Sequence, residues 1–236
     1  MTVHNFSFAA HAPDFDRHIR MSIPGYDDLR DMCIWLSRDF VQDGTTVIDI
    51  GCTTGRLLRA VREANQASRP GVMYLGIDAE PKFGESWRRR RAGNVRFEVR
   101  DARSLQFEDV SLTYDIFTQQ FIPEQDRLPL LRRVHEGMIE GGALIIAAKL
   151  LANDAWSQDM LATHYHERKR RRGLSDEHIL DKAMRLRGQM ILWSEAELMG
   201  ALRDAGFETI QRFWQSYLFV AMVARKRHGH RRSSFP

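Results

Sequence analysis

Three residues at the ends of predicted strands carry the chemistry of this sequence: Gly51, Asp78 and Asp101. A glycine lets the backbone pass close to a ligand, and in Asp49-Ile50-Gly51-Cys52-Thr53-Thr54-Gly55 the second glycine supplies a tight turn into a helix. The loop lacks the third glycine of G-x-G-x-x-G and the lysine of a phosphate-binding P-loop, so it suits neither a dinucleotide nor ATP. Asp78 can accept hydrogen bonds from both hydroxyls of a ribose, and Asp101 can accept from an exocyclic amine such as that of adenine. Ribose, adenine and no phosphate site point to S-adenosylmethionine. Taken singly, either aspartate could merely end a strand, because aspartate is common in turns. Three such features in consecutive order, where a doubly wound sheet meets its ligand, argue for a cofactor site.

The elements that must position these residues alternate along the chain. TTVIDI (45–50) reads as a strand, and RLLRAVREAN (56–65) as a helix with apolar residues at helical spacing. Further strands are expected at 72–78 (VMYLGID), 95–101 (VRFEVRD), 114–121 (YDIFTQQF) and 143–150 (ALIIAAKL), with a helix at 125–138. Residues 151–192 read as helical and basic, with HERKRRRG at 166–173, and form an insertion. A helix at 194–205 opens on a capping box, Ser194 with Glu197, and stops at Gly206. Strands at 208–214 and 217–225 lie close enough in sequence to pair as an antiparallel hairpin. The fold class is α/β: a Rossmann-like, doubly wound, seven-stranded sheet closed by a C-terminal antiparallel hairpin, the class I methyltransferase architecture, with a helical insertion. One domain spans 1–236, divided into an N-terminal helical cap (1–44), a cofactor-binding core (45–150), the insertion (151–192), a C-terminal helix and hairpin (193–226) and a tail (227–236).

Composition narrows the partners. The 236 residues are 43% hydrophobic, enough for a sizeable core. The 35 basic and 31 acidic residues leave a net charge of +4, a mixed surface rather than a nucleic-acid footprint. The basic runs SWRRRRAG (86–93) and RKRRRG (168–173) read as solvated helix faces, with direct nucleic-acid binding as the weaker alternative. Cys33 and Cys52 form neither a disulfide framework nor a metal-ligand spacing, so no metal is expected and a reducing, cytoplasmic setting is. No secretory leader and no apolar run of membrane-spanning length is present, which predicts a soluble chain without a membrane partner.

VIDIGCTTG, YLGIDAEP and RFEVRDARSL resemble the cofactor motifs of class I S-adenosylmethionine-dependent methyltransferases. A resemblance to the carboxy-S-adenosylmethionine synthase family runs over nearly the whole chain, through MSIPGYDDL, FVQDGTTVIDIGCTTG, FTQQF, GGALIIAAKL, HERKRRRGLS and LRDAGFETIQRFWQ. It implies a homodimer, and an activity that converts S-adenosylmethionine with prephenate into a carboxylated cofactor used in modifying the wobble uridine of transfer RNA. It places Tyr26 over the ligand, where an electron-rich ring stabilises a sulfonium. With Tyr26, it makes Gly51, Cys52, Thr53, Asp78, Ala79, Asp101 and Ala102 cofactor contacts. Ile116 stands where the family has an asparagine and offers only its backbone. It also implies that the insertion covers the ligand, which makes His166 a candidate general base and Trp156, Tyr165, Trp214, Gln215 and Tyr217 candidate walls of an acceptor pocket. Ala201 stands where the family carries an arginine for the product's extra carboxylate, and a carboxylate buried without a cation is costly.

These residues together predict an S-adenosylmethionine-dependent methyltransferase that acts on a small-molecule acceptor by in-line transfer. The alternatives are the prephenate-dependent carboxylation of the cofactor, and a nucleic-acid-binding protein that only holds the cofactor.

Overall fold

The structure, a computed structural model, describes residues 8–88 and 93–227. Seven strands form one sheet: β1 (Thr46–Ile50), β2 (Met73–Asp78), β3 (Val95–Val99), β4 (Val110–Ile116), β5 (Met138–Lys149), β6 (Thr209–Ser216) and β7 (Phe219–Arg225). Their spatial order is β3-β2-β1-β4-β5-β7-β6. The first five run parallel, and β7 inserts antiparallel between β5 and β6. The order reverses between β1 and β4, which opens a crevice beyond their carboxyl ends.

Nine helices flank the sheet among the described residues: α1 (Phe8–His11), α2 (Phe15–Ser22), α3 (Tyr26–Phe40), α4 (Arg56–Asn65), α5 (Gly84–Arg88), α6 (Glu124–Glu136), α7 (Ala155–Arg171), α8 (Asp176–Leu186) and α9 (Glu195–Asp204). Their starts follow sequence rules. Asp154 and Ser175 accept backbone N–H bonds at the starts of α7 and α8, and α9 has the expected box between Ser194 and Glu197.

Side-chain alternation along the strands divides the core in two, as a sheet covered on both faces requires. Ile48, Leu144, Ile146 and Ala148 pack on one face with Leu198 and Leu202 of α9, and Val47, Ala143, Ile145 and Ala147 pack on the other with Leu29 of α3 and Leu58 of α4. The fourth strand departs from its expected span of 114–121. It is Val110–Ile116, six of its seven residues are buried, and it ends where Phe117 turns to φ 61 and Gln119–Phe121 coil into a 3-10 turn. VSLTYDI lies at the centre of the sheet and is buried on both sides, so it lacks the alternation by which a half-exposed strand is recognised. Likewise β3 stops at Val99, and Asp101 caps a 3-10 turn at Ala102–Ser104.

Candidate active site

A cavity of about 680 Å³ lies at the carboxyl ends of the parallel strands. Gly51, Cys52 and Thr53 line it from the β1 loop, Asp78 and Ala79 from β2, Asp101 and Ala102 from the β3 turn, Ile116 from β4 and Tyr26 from the start of α3. All nine candidate cofactor contacts therefore meet in one space.

The glycine loop is shaped from below. Gly51 and Cys52 both donate backbone N–H bonds to the carbonyl of Ile77, at 2.8 and 2.9 Å. Gly51 has φ 72, and a Cβ there would lie 2.0 Å from Oγ1 of Thr118. Only glycine meets both demands. Thr53 also adopts a positive φ of 47 and donates its N–H to Oδ2 of Asp78 at 3.0 Å. Oδ1 of Asp78 accepts from the N–H of Glu80 at 2.9 Å. The carboxylate is thus aimed by two backbone donors, while burial raises its pKa more than those bonds lower it. Asp101 accepts from the N–H of Arg103 and from its guanidinium, down to 2.7 Å, which holds its carboxyl below the usual range. An amine that binds Asp101 must share it with this pair.

Asp49, not among the predicted contacts, belongs to the site. It lines the cavity, is 3% exposed, and its carboxylate accepts no hydrogen bond among the described residues. Burial, then Asp78 and Asp115, push its pKa well up. A buried carboxylate facing a cavity suits a cationic ligand, and raises the phenol pKa of Tyr26 after burial has done so. Its position one residue before Ile50 in a strand of alternating faces was the available signal.

A basic part of the lining comes from the end of β5 and from the insertion. Lys149 ends β5, Lys169 lies on α7 and Lys182 on α8, and all three line the cavity. Lys169 is 8% exposed, and its Nζ stands 4.2 Å from the ring centroid of Tyr165. Lys149 Nζ lies 5.8 Å from the same centroid and 6.0 Å from that of Phe219. Neither amine forms an ion pair among the described residues. Burial lowers the pKa of Lys149; burial and then Lys149 bring Lys169 to about 8; burial and then Lys169 and Lys149 bring Lys182 to about 7. His166 lines the same wall with its pKa lowered by burial, Lys169, Lys149 and Arg170. The sequence pattern hid Lys169 because it sits inside a run of like charge. It lies four residues after Tyr165 and so shares its inward face, while Arg170, Arg171 and Arg172 are exposed.

Of the predicted acceptor walls, only Tyr165 lines this cavity. Trp156 is 72% exposed at the first turn of α7, a helix that reaches the site only in its later half. Gln215 is exposed on the edge strand β6 and donates to the carbonyl of Tyr217, and Trp214 packs against Gly25. Tyr217 stands 6.0 Å from Tyr165, behind the wall. Ala201 packs on α9 against the apolar core and does not border the cavity. The missing arginine therefore leaves no gap in this pocket. Arg89, Arg90 and Arg91 of the run at 86–93, and most of the tail, lie outside the described residues. Among the described residues no helix is long and apolar enough to cross a membrane, and no cluster of side chains fits a metal ion.

The donor set fits S-adenosylmethionine: aimed carboxylates at the ends of β2 and β3, a backbone cradle at Gly51 that a Cβ would fill, and a buried carboxylate at Asp49 for positive charge. Comparison with known proteins agrees. A methyltransferase domain family matches residues 47–142. Carboxy-S-adenosyl-L-methionine synthase of Klebsiella pneumoniae (strain 342) is 33% identical over 90% of this chain and 87% of its own. The enzyme of the same name from Escherichia coli (strain K12 / DH10B) is 31% identical over the same shares, 90% and 87%. Among solved structures, an O-methyltransferase family protein from Burkholderia thailandensis aligns with a TM-score of 0.56 at 16% identity, covering 86% of this chain and 60% of its own. Human N-acetylserotonin methyltransferase in complex with S-adenosylmethionine aligns with a TM-score of 0.52 at 16% identity, covering 77% and 47%. A fold of this class, a site built for S-adenosylmethionine and relatives matched over nearly their full length make this chain an S-adenosylmethionine-dependent enzyme that belongs to the carboxy-S-adenosyl-L-methionine synthase family.

Proposed function

We propose that the protein transfers the methyl group of S-adenosylmethionine to a small acceptor that carries a carboxylate or a comparable anionic group. The observation that carries this reading is the convergence of Lys149, Lys169 and Lys182 on the cavity that also holds the three strand ends. When bound, S-adenosylmethionine supplies a methyl group already activated by a positive sulfur. The protein's own task is then to place an acceptor in line with it and exclude water. In this assignment Asp78 takes the ribose hydroxyls, Asp101 and Ala102 the adenine, and Gly51 to Thr53 the methionine moiety through their backbone. Asp49 and Tyr26 offset the positive charge, and Ile116 contributes its backbone. Lys149 and Lys169, backed by the ring of Tyr165, hold the acceptor's anionic group; buried ammonium groups without an acidic partner are costly until an anion joins them.

The names carried by the relatives favour a second reading, in which the anion is the carboxyl source and the cofactor itself is carboxylated. One experiment separates the two. The protein is incubated with S-adenosylmethionine and either prephenate or a panel of hydroxy-substituted benzoates, and the cofactor-derived product is identified by mass spectrometry. S-adenosylhomocysteine with a methylated benzoate supports the first reading. A cofactor heavier by one carboxyl group supports the second and overturns the first.

A further inference from the structure

Lys182 on α8 and His18 on α2 lie far apart in sequence and meet at the cavity. Lys182 Nζ lies 2.8 Å from Nε2 of His18 and donates to Oγ of Ser22, also at 2.8 Å. Both residues line the cavity. Two nitrogens at this distance need one hydrogen between them: either Lys182, as an ammonium or as a neutral amine, donates to a neutral imidazole, or the imidazole donates to a neutral amine; a neutral amine that donates to both His18 and Ser22 keeps its lone pair free. A doubly protonated pair cannot keep the contact. We propose that Lys182 and His18 are a proton-sharing pair, and that the Lys182 amine is the base that takes the proton of an acceptor hydroxyl as that hydroxyl is methylated.

The step balances. The acceptor oxygen forms a bond to the methyl carbon as the carbon–sulfur bond breaks with its electron pair going to sulfur. The hydroxyl proton passes to the neutral amine. One positive charge is lost at sulfur and one appears on Lys182, where the new ammonium donates to His18 and Ser22. The surroundings bias the amine toward its neutral, proton-accepting form. Lys169 on α7 and Lys149 on β5 act on it with positive charge; Arg187 after α8 lines the same cavity, and on α2 Arg20 is paired with Asp27 while Asp16 is held by Thr54 and Arg56. Burial with Lys169 and Lys149 brings its pKa to about 7, in the range where a general base works best. His166 shares this field, yet its ring makes no hydrogen bond or ion pair among the described residues that would hold the imidazolium.

This inference rests on the methyl-transfer reading, and its test has two arms. In the first, the amines of the whole protein are acetylated competitively with acetic anhydride across a pH series, and each lysine is read by peptide mass spectrometry. Lys182 is expected to label with a midpoint near pH 7, against about 10.4 for an ordinary lysine. His18→Leu should move that midpoint down by about half a unit or more, because the ammonium loses an acceptor, and His166→Leu should leave it in place. An ordinary midpoint for Lys182, or one indifferent to His18, overturns the pair. In the second arm, the rate of methyl transfer to 3,4-dihydroxybenzoate is measured beside calorimetric binding of S-adenosylhomocysteine. Lys182→Met should slow transfer about a hundredfold or more with cofactor affinity kept, and Lys182→Arg should not restore it, since a guanidinium retains the charge but accepts no proton. Rescue by Arg, or a Met variant with more than half the wild-type rate, overturns the base. A wild type that methylates no hydroxybenzoate removes the transfer reading and the base role with it, while the labelling arm still decides whether the pair exists.

Discussion

Gly51 is the residue with the least freedom in the site. Its φ of 72 and the 2.0 Å approach of a would-be Cβ to Thr118 Oγ1 are separate penalties. Gly51→Ala should therefore destabilise the protein by about 2–4 kcal/mol, combining backbone strain and overpacking. Adding Thr118→Ala should recover the overpacking share alone, which denaturant melts of the four members of a double-mutant cycle would read. Asp78 carries an energetic rather than a steric burden. Its two oxygens already accept from Thr53 and Glu80, so the carboxylate is oriented before a ligand arrives. Asp78→Asn should weaken S-adenosylhomocysteine by roughly ten- to a hundredfold, the value of a hydrogen bond to a charged group, as measured by calorimetry. An unchanged affinity would remove Asp78 from the ribose role. Strand-end glycine and aspartate can be read from sequence because their chemistry is local. Lys149, Lys169 and Lys182 cannot, because a lysine's burial is decided by what packs over it.

At the scale of elements, the insertion and the N-terminal helices make the lid of the cavity together. Tyr165 on α7 donates its hydroxyl to the carbonyl of Ser22 at the end of α2, at 2.6 Å, and Lys182 on α8 donates to the hydroxyl of the same serine. Its ring stands beside the amines of Lys149 and Lys169. Tyr165→Phe should keep the ring and lose only the tie, at a cost of about 1 kcal/mol in global stability. Hydrogen exchange of residues 15–22 should accelerate, and bound S-adenosylhomocysteine should slow it again. No change in exchange would show that α2 is held by other contacts, such as the bond from Thr54 to Asp16 at 2.9 Å. The strands, helices and α9 capping box were readable from periodicity and end signals. The fourth strand was placed too late because VSLTYDI is buried throughout and FTQQF, its apparent continuation, is a turn.

The whole molecule stores opposed charges around one cavity, and its stability should record them. Lysines with lowered pKa bind fewer protons folded than unfolded, so their cost is full below the folded value and is relieved as pH rises from about 7 for Lys182, or about 8 for Lys169, toward the ordinary 10.5. Asp115, buried and accepting from the N–H of Gln119, has the reverse sign. Its pKa is pushed up to about 7 by burial, so it binds more protons folded, and its contribution falls as pH rises from 3.8 to about 7. Melting temperatures of Lys182→Met relative to wild type should rise most below pH 7 and converge above pH 10, while Asp115→Asn should gain on wild type as pH rises from 4 to 7. Flat difference curves would contradict the burial assigned to both groups. The sequence alone determined the α/β fold, its doubly wound sheet with a C-terminal hairpin, and the strand-end residues that line the cavity, because alternation, helical spacing and residues at strand ends are properties of short segments. Only the tertiary structure decided what faces the cofactor. It brought lysines from β5, α7 and α8 together, left Trp156 and Gln215 outside, and set Ala201 into the core, because burial and proximity across the cavity depend on how the insertion packs over the sheet.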